Sequence, residues 1–197
     1  MAASAQIYLA SQSPRRRELL KQIGVTFRVL APHVDEAALL REAPSAYVQR
    51  IARMKAEVTW RRIAAQRQTP RPVLAADTAV IVGRRILGKP ADDAEAQAML
   101  QALSGRTHQV VTAVALTYEK KIKLVTSTTA VTFRRLAADE IAHYVARGAP
   151  HDKAGAYGIQ GLAAIFIVRI EGSYSGVMGL PLFETATLLK TFGVHVL

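Results

Sequence analysis

The chain has 197 residues, half of them hydrophobic and 21% charged, and a formal net charge of +11. That is enough chain for one sizeable core, and the basic balance suits polyanionic partners, nucleic acid or small polyphosphates alike. There is no cysteine, which excludes disulfides, thiolate metal sites and a cysteine nucleophile. No apolar run approaches the ~18–20 residues that span a bilayer, and no basic segment precedes the first apolar stretch, so a cytoplasmic setting without membrane contact is expected.

Ile7–Ala10 reads as a strand, Ser13 as the N-cap and Pro14 as the first residue of a helix. Arg15, Arg16 and Arg17 then fall in the opening turn, where the macrodipole opposes each cation by ~0.3–1 kcal/mol. Two readings fit. Free N–H groups, the Ser11 and Ser13 hydroxyls and the guanidinium forks can cradle a phosphate, or the arginines can lie solvated over apolar surface.

Val25–Leu30 reads as a second strand closed by Pro32, and Ser45–Arg67 as a helix with the stripe Val48, Ile51, Ala52 and Val58. Lys55 falls on that stripe, either snorkelling or reaching a buried anion. Asp35 and Glu36 sit in the loop between these two elements, solvated unless Glu36 meets a second carboxylate.

Val73–Val82 reads as a strong strand that turns at Gly83-Arg84 into Ile86-Leu87. Asp77 interrupts its apolar run, where a carboxylate is costly unless bonded to backbone at a bulge, coordinated to a metal or used. Thr78 points to the opposite face. Gly83–Pro90 nearly spells a P-loop, but Pro90 stands where Ser or Thr should ligate Mg²⁺. Lys89 is left as a turn lysine or a phosphate cation.

A helix capped by Asp92 or Asp93 and ended by Gly105 follows, then a hairpin over 108–118 and 122–136. A helix over Asp139–Arg147 is closed by Gly148 and Pro150, Ala163–Ile170 reads as a buried strand, and the last helix runs from Pro181 to Phe192. The glycine-punctuated loop Asp152–Gly161 carries an amide, Gln160, able to read a base edge. The mixture gives an α/β or α+β fold with a mixed sheet. The histidines show no metal-ligand spacing.

Leu9–Arg16, Asp35-Glu36, Lys55-Ala56, Ala76–Thr78, Gly88–Pro90, Leu103–His108, Asp152–Gly161 and Gly179–Pro181 together resemble, in order, the motifs of the Maf family of nucleoside triphosphate pyrophosphatases. The resemblance implies one domain over residues 1–197, with an elongated central sheet flanked by helices, Maf/ITPase-like, and two lobes around a cleft. It implies hydrolysis between the α and β phosphates, giving a monophosphate and pyrophosphate, with Mg²⁺ or Mn²⁺ as cofactor.

The motifs Ser-Pro-Arg-Arg, Asp-Thr and Asp-Lys-Ala-Gly-x-Tyr-x-Ile-Gln-Gly are similar to those of the branch that acts on dTTP, UTP and modified pyrimidine nucleotides. By that resemblance Asp77 is catalytic and a metal ligand, and Glu36 is the second ligand. Arg15, Thr78 and Gln160 set specificity, while Ser11, Arg16, Lys55, Lys89 and Lys153 hold the triphosphate. The family also suggests a homodimer. The alternatives are a 7-methyl-GTP pyrophosphatase of the same family, or a basic nucleic-acid-binding regulator linked to cell division. Aromatics are 6% of the chain and do not alternate with the arginines, so no stable nucleic-acid complex is expected.

Overall fold

In the computed structural model, which describes residues 5–148 and 151–196, the strand Val73–Val82 organises the sheet. The strands are β1 (Ile7–Leu9), β2 (Phe27–Val29), β3 (Val73–Val82), β4 (Arg85–Leu87), β5 (Thr107–Tyr118), β6 (Lys121–Phe133) and β7 (Ile167–Glu171). They make one mixed sheet in the order β2-β1-β3-β5-β6-β7, with β4 also on β3. β1 pairs parallel with β2 and β3, and the remaining pairs are antiparallel. The helices are α1 (Pro14–Gln22), α2 (Pro44–Ala65), α3 (Asp93–Leu103), α4 (Ala138–Ala146), α5 (Tyr174–Met178) and α6 (Leu182–Lys190). Among the described residues no helix is long and apolar enough to cross a membrane.

Strand alternation sends successive residues of β3 to opposite faces. Val73, Ala75, Ala79 and Ile81 pack under α2 with Val48, Ala52, Ala56 and Ile63. Leu74 and Ala76 face Leu19 and Leu20 of α1 and Leu188 and Leu189 of α6. A third cluster forms the other lobe, where Val80 and Leu87 meet Leu100 of α3, Ile141 of α4, Phe133 and Phe166. At ~1.5–3 kcal/mol for each large apolar side chain buried, all three clusters are needed to offset the entropy of ordering the chain.

β5 covers one edge of β3 along Val73–Ile81, but the other edge is shared. β1 pairs only with Val73 and Leu74, and β4 only with Val80–Val82. Residues 75–79 of β3 are therefore unpaired by a strand on that side, and this gap separates the two lobes.

The caps match the sequence reading. Ser13 accepts from the Arg16 amide at 3.5 Å and Asp92 from the Glu95 amide at 2.8 Å. Gly148 ends α4 in the left-handed region at φ 70°, while Pro150 lies outside the described residues.

The expected buried strand over Ala163–Ile170 is not what forms. Leu162–Phe166 is a 3₁₀ turn and only Ile167–Glu171 is strand, with Val168 63% exposed. The Arg134 amide takes the Phe166 carbonyl at 2.9 Å, beside a register irregularity at Thr132/Phe133. β6 ends at Phe133, short of the expected residue 136, and β7 is a brief sheet edge. The five-residue α5 was not anticipated either; Ser173 caps it by accepting from Gly176 N at 3.0 Å.

Candidate active site

The gap in β3 opens at the carboxyl end of β1. From β1 the chain passes through α1 to β2 on one side, then returns to β3 on the other. Crevices at such switch points of open α/β sheets are where ligands bind. Asp77 and Thr78 lie in the gap, and the Ala10–Ser13 loop faces them.

Asp77 is on the α2 face and is 6% exposed. Three turns into α2, the Lys55 ammonium donates to Asp77 Oδ1 at 2.8 Å and lies 2.9 Å from Glu36 Oε1. The reading of Lys55 as a lysine that reaches a buried anion is the one realised. Burial pushes the Asp77 carboxyl above its ordinary range, and Lys55 and Arg16 only partly reverse this. Glu36 is held from behind: Tyr47 Oη donates to its carbonyl at 3.0 Å. Arg50 clamps the rest of that loop, with two bonds to Glu42 at 2.6 and 2.7 Å and one to the Ala37 carbonyl at 2.9 Å. The Arg50 fork holds the Glu42 carboxyl down at about 2.

Thr78 is on the other face, as alternation requires. Arg16 spans this side, donating to the Gly179 carbonyl at 2.7 Å, Ser11 Oγ at 3.3 Å and Thr78 Oγ1 at 3.2 Å. Gly179 has φ 110°, and a Cβ there would stand 3.4 Å from Thr78 Oγ1 and 3.5 Å from Arg16 Nε. Any other residue would strain that turn while crowding the fork.

The hydroxyl polarity can be read from acceptors that cannot donate. Thr112 donates to the Gly176 carbonyl at 2.8 Å, so Thr78, 2.9 Å from Thr112, must be its donor. Thr78 spends its hydrogen inward and keeps acceptor capacity. Ser11 Oγ already accepts from Ser13 N at 3.2 Å and from Arg16, so its hydrogen remains for an outside acceptor.

Across the cleft, Arg15 of α1 pairs with Asp152 at 3.1 Å, and Lys153 bonds the same carboxylate. Burial raises Asp152, but its bonds to Lys153 and Arg15 outweigh that and hold it below the usual range. The loop itself is fixed to the second lobe by Gly155, whose amide donates to the Gly88 carbonyl at 2.9 Å. A Cβ at Gly155 would stand 2.9 Å from Val80 Cγ1.

The candidate residues thus fall into three bonded groups: Asp77 with Lys55 and Glu36, Arg16 with Ser11 and Thr78, and Arg15 with Lys153 through Asp152. Lys89 and Gln160 are exposed, with no hydrogen bond to a described residue. Asp152, Thr112, Tyr47 and Arg50 were not singled out from sequence. Only Asp152 carried a signal, its place at the head of the glycine-punctuated loop.

These features define an α/β protein with a cleft lined by cations, hydroxyls and a buried carboxylate. The family model for Maf-like protein matches residues 6–192, and the chain belongs to that family. It is 53% identical over 198 residues to a protein named dTTP/UTP pyrophosphatase from Nitrosomonas europaea, covering 96% of each chain. It is 54% identical to one of the same name from Aromatoleum aromaticum, again covering 96% of each. A third, from Polaromonas sp., is 49% identical with full coverage of both. Among solved structures, the Ham1 protein of Staphylococcus aureus overlaps with 64% of this chain and 71% of its own, at 17% identity and a TM-score of 0.45.

Proposed function

We propose that this chain hydrolyses dTTP and UTP to the monophosphate and pyrophosphate, with the cleft at the β1–β3 switch point as its active site. The observation that carries the reading is the Asp77–Lys55–Glu36 bridge, which sits on one face of β3 while the Arg16–Ser11 cradle sits on the other. The names of the near-full-length relatives support the choice of substrate.

Phosphoryl chemistry asks a protein mainly for positioning and charge neutralisation. Arg16, Lys55 and the free Ser11 hydrogen supply cations and donors for the triphosphate. Lys89 and Lys153 join them from the other lobe. Asp77 is the base. Lys55 occupies Oδ1, and Oδ2, with no hydrogen bond to a described residue, accepts the proton of the attacking water. Its upward-shifted pKa keeps it a usable proton acceptor closer to neutral pH. Thr78, with acceptor capacity left, suits the N3–H of thymine and uracil and not the bare N3 of cytosine. Arg15 and Gln160 complete the base-reading set.

The donor set fits a divalent cation. Glu36 keeps one carboxylate oxygen with no hydrogen bond to a described residue and would hold the cation beside the Asp77 carboxylate; two carboxylates plus substrate phosphates and water are how Mg²⁺ is usually held. Among the described residues no group of three or more His, Asp or Glu gathers, so substrate would complete the coordination. Held there, the cation would acidify water and neutralise phosphate charge. A cytoplasmic homodimer is the setting proposed with this activity; the lack of cysteine suits a reducing compartment.

Asp77→Asn tests the reading. The variant is expected to keep its fold and bind dTTP while losing turnover by at least a thousandfold. A rate near that of the wild type would remove Asp77 from the chemistry.

A further inference from the structure

Arginines gather a second time, away from the cleft. Arg28 of β2, Arg67 just beyond α2 and Arg71 just before β3 line a cavity of about 300 Å³. Its inner wall includes Tyr8, which is 2% exposed and donates to the Thr69 carbonyl at 3.1 Å. Tyr8 packs on the α2 face, and its parallel partner in the ladder, Arg28, shares that face. Arg67 follows Lys55 by a helical rise of ~18 Å along α2. The cavity therefore lies at the amino ends of β1 and β3, the opposite end of the sheet from Asp77.

Three arginines line this cavity, Arg28 and Arg67 exposed and Arg71 half-buried, and among the described residues none of their guanidinium groups has an ion-pair or hydrogen-bond partner. The end of α2 does not explain the cluster, because its last carbonyls are already occupied by backbone. Arg67 N donates to Ala64 O and Gln68 N to Ile63 O, both at 3.1 Å. That is a Schellman closure, and its left-handed position is normally glycine. Here it is Arg67, at φ 51°. An arginine is held in a conformation that disfavours it, beside two like charges, at the mouth of a cavity.

The geometry points to a second anion site, one that takes a small phosphate ester between the Arg28, Arg67 and Arg71 forks. The charged residues of the lining are all arginine, which suits bidentate phosphate binding. The volume is at the small end of ligand pockets, about 300–1,000 Å³, and suits a monophosphate carrying a sugar-sized group. Such a site would answer part of the +11 charge that the cleft leaves without an opposing partner.

Calorimetry with ribose 5-phosphate and with inorganic phosphate tests this on the wild type, Arg67→Gly, Arg28→Ala and the cleft variant Arg16→Lys. The site predicts a binding event that weakens at least tenfold in Arg67→Gly and Arg28→Ala and persists in Arg16→Lys, which weakens only binding in the cleft. Because glycine relaxes the left-handed position, Arg67→Gly should keep the unliganded melting temperature, so loss of binding would not reflect unfolding. Tighter binding of the ester than of free phosphate would support a pocket that holds the sugar as well. No saturation by either probe at millimolar concentration would overturn the proposal. So would binding lost only in Arg16→Lys, or a site that takes oligonucleotides with a steep salt dependence and ignores ribose 5-phosphate.

Discussion

Lys55→Met is the most informative single perturbation of the cleft, because Lys55 joins two carboxylates of unequal exposure. The Lys55 side chain is 12% exposed and that of Asp77 8%, whereas Glu36 is 52% exposed. At an effective dielectric of ~20, charges 2.8 Å apart attract by about 6 kcal/mol before desolvation is subtracted. Removing one partner of a buried pair costs ~3–5 kcal/mol, since the survivor stays buried and uncompensated. Methionine keeps most of the stem, so the loss is electrostatic and not a cavity. With Glu36 solvated, nearly all of it should reside in the Asp77 contact.

The sign of the pH dependence follows. Burial already raises Asp77, and without Lys55 it rises further, so the folded variant binds that proton more tightly than the unfolded chain does. Its stability deficit should be largest at pH 8, where Asp77 must be charged, and should shrink toward pH 5. Urea unfolding at both pH values, with Asp77→Asn and the double variant completing a cycle, measures this. The expected coupling is ~3 kcal/mol at pH 8. A deficit below 1 kcal/mol, or one independent of pH, would mean that the pair behaves like a surface ion pair, and the argument would fail.

Arg16→Lys should lower kcat/KM for dTTP by ~10²–10³, because one ammonium cannot reproduce a fork that bonds Gly179, Ser11 and Thr78 together; a change within threefold in steady-state assays would contradict this. His108 predicts a pH effect remote from the cleft. It is 2% exposed and 2.7 Å from Tyr157 Oη, and burial lowers it from 6.5 to about 4. The unfolded chain takes that proton first, so stability is lost as pH falls from 6.5 toward 4, by ~3 kcal/mol at ~1.36 kcal/mol per pH step. His108→Gln, which can still bond Tyr157, should lose correspondingly less over that range in urea titrations; equal losses would refute the assignment. Arg50→Ala should raise KM for the metal-loaded substrate and leave the fold intact, because it frees the loop that carries Glu36; an unchanged KM would show that Tyr47 alone holds that loop.

Much of this architecture was legible in the sequence because local chemistry and periodicity agreed. Ser13-Pro14 began α1, the inward stripe put Lys55 under α2, and the misfit of Asp77 in an apolar strand marked the cleft. The places of Asp77 and Thr78 on opposite faces followed from strand alternation alone. What could not be read depends on register and pairing. The gap along β3 exists only because β1 stops at Leu9 and β4 resumes at Val80, and no local pattern encodes that. Thr112 looked like any strand threonine until its pairing with Thr78 set the direction of the hydroxyl chain. The apolar run from Ala163 to Ile170 satisfied a strand pattern, yet only the part from Ile167 onward pairs with β6, a matter of tertiary pairing that the local pattern does not carry. The arginine cavity was out of reach because Arg28 lies 39 residues before Arg67 and 43 before Arg71 in the chain, and only the parallel pairing of β1 with its neighbours brings them together.

Incubation of the purified protein with Mg²⁺ or Mn²⁺ and, separately, dTTP, UTP, CTP, ATP, GTP and 7-methyl-GTP, followed by product analysis, tests the central claim most directly. Monophosphate and pyrophosphate from dTTP and UTP, with little from the others, is the predicted result. Turnover of 7-methyl-GTP in preference to the pyrimidines, release of orthophosphate in place of pyrophosphate, or no turnover of any triphosphate would contradict it.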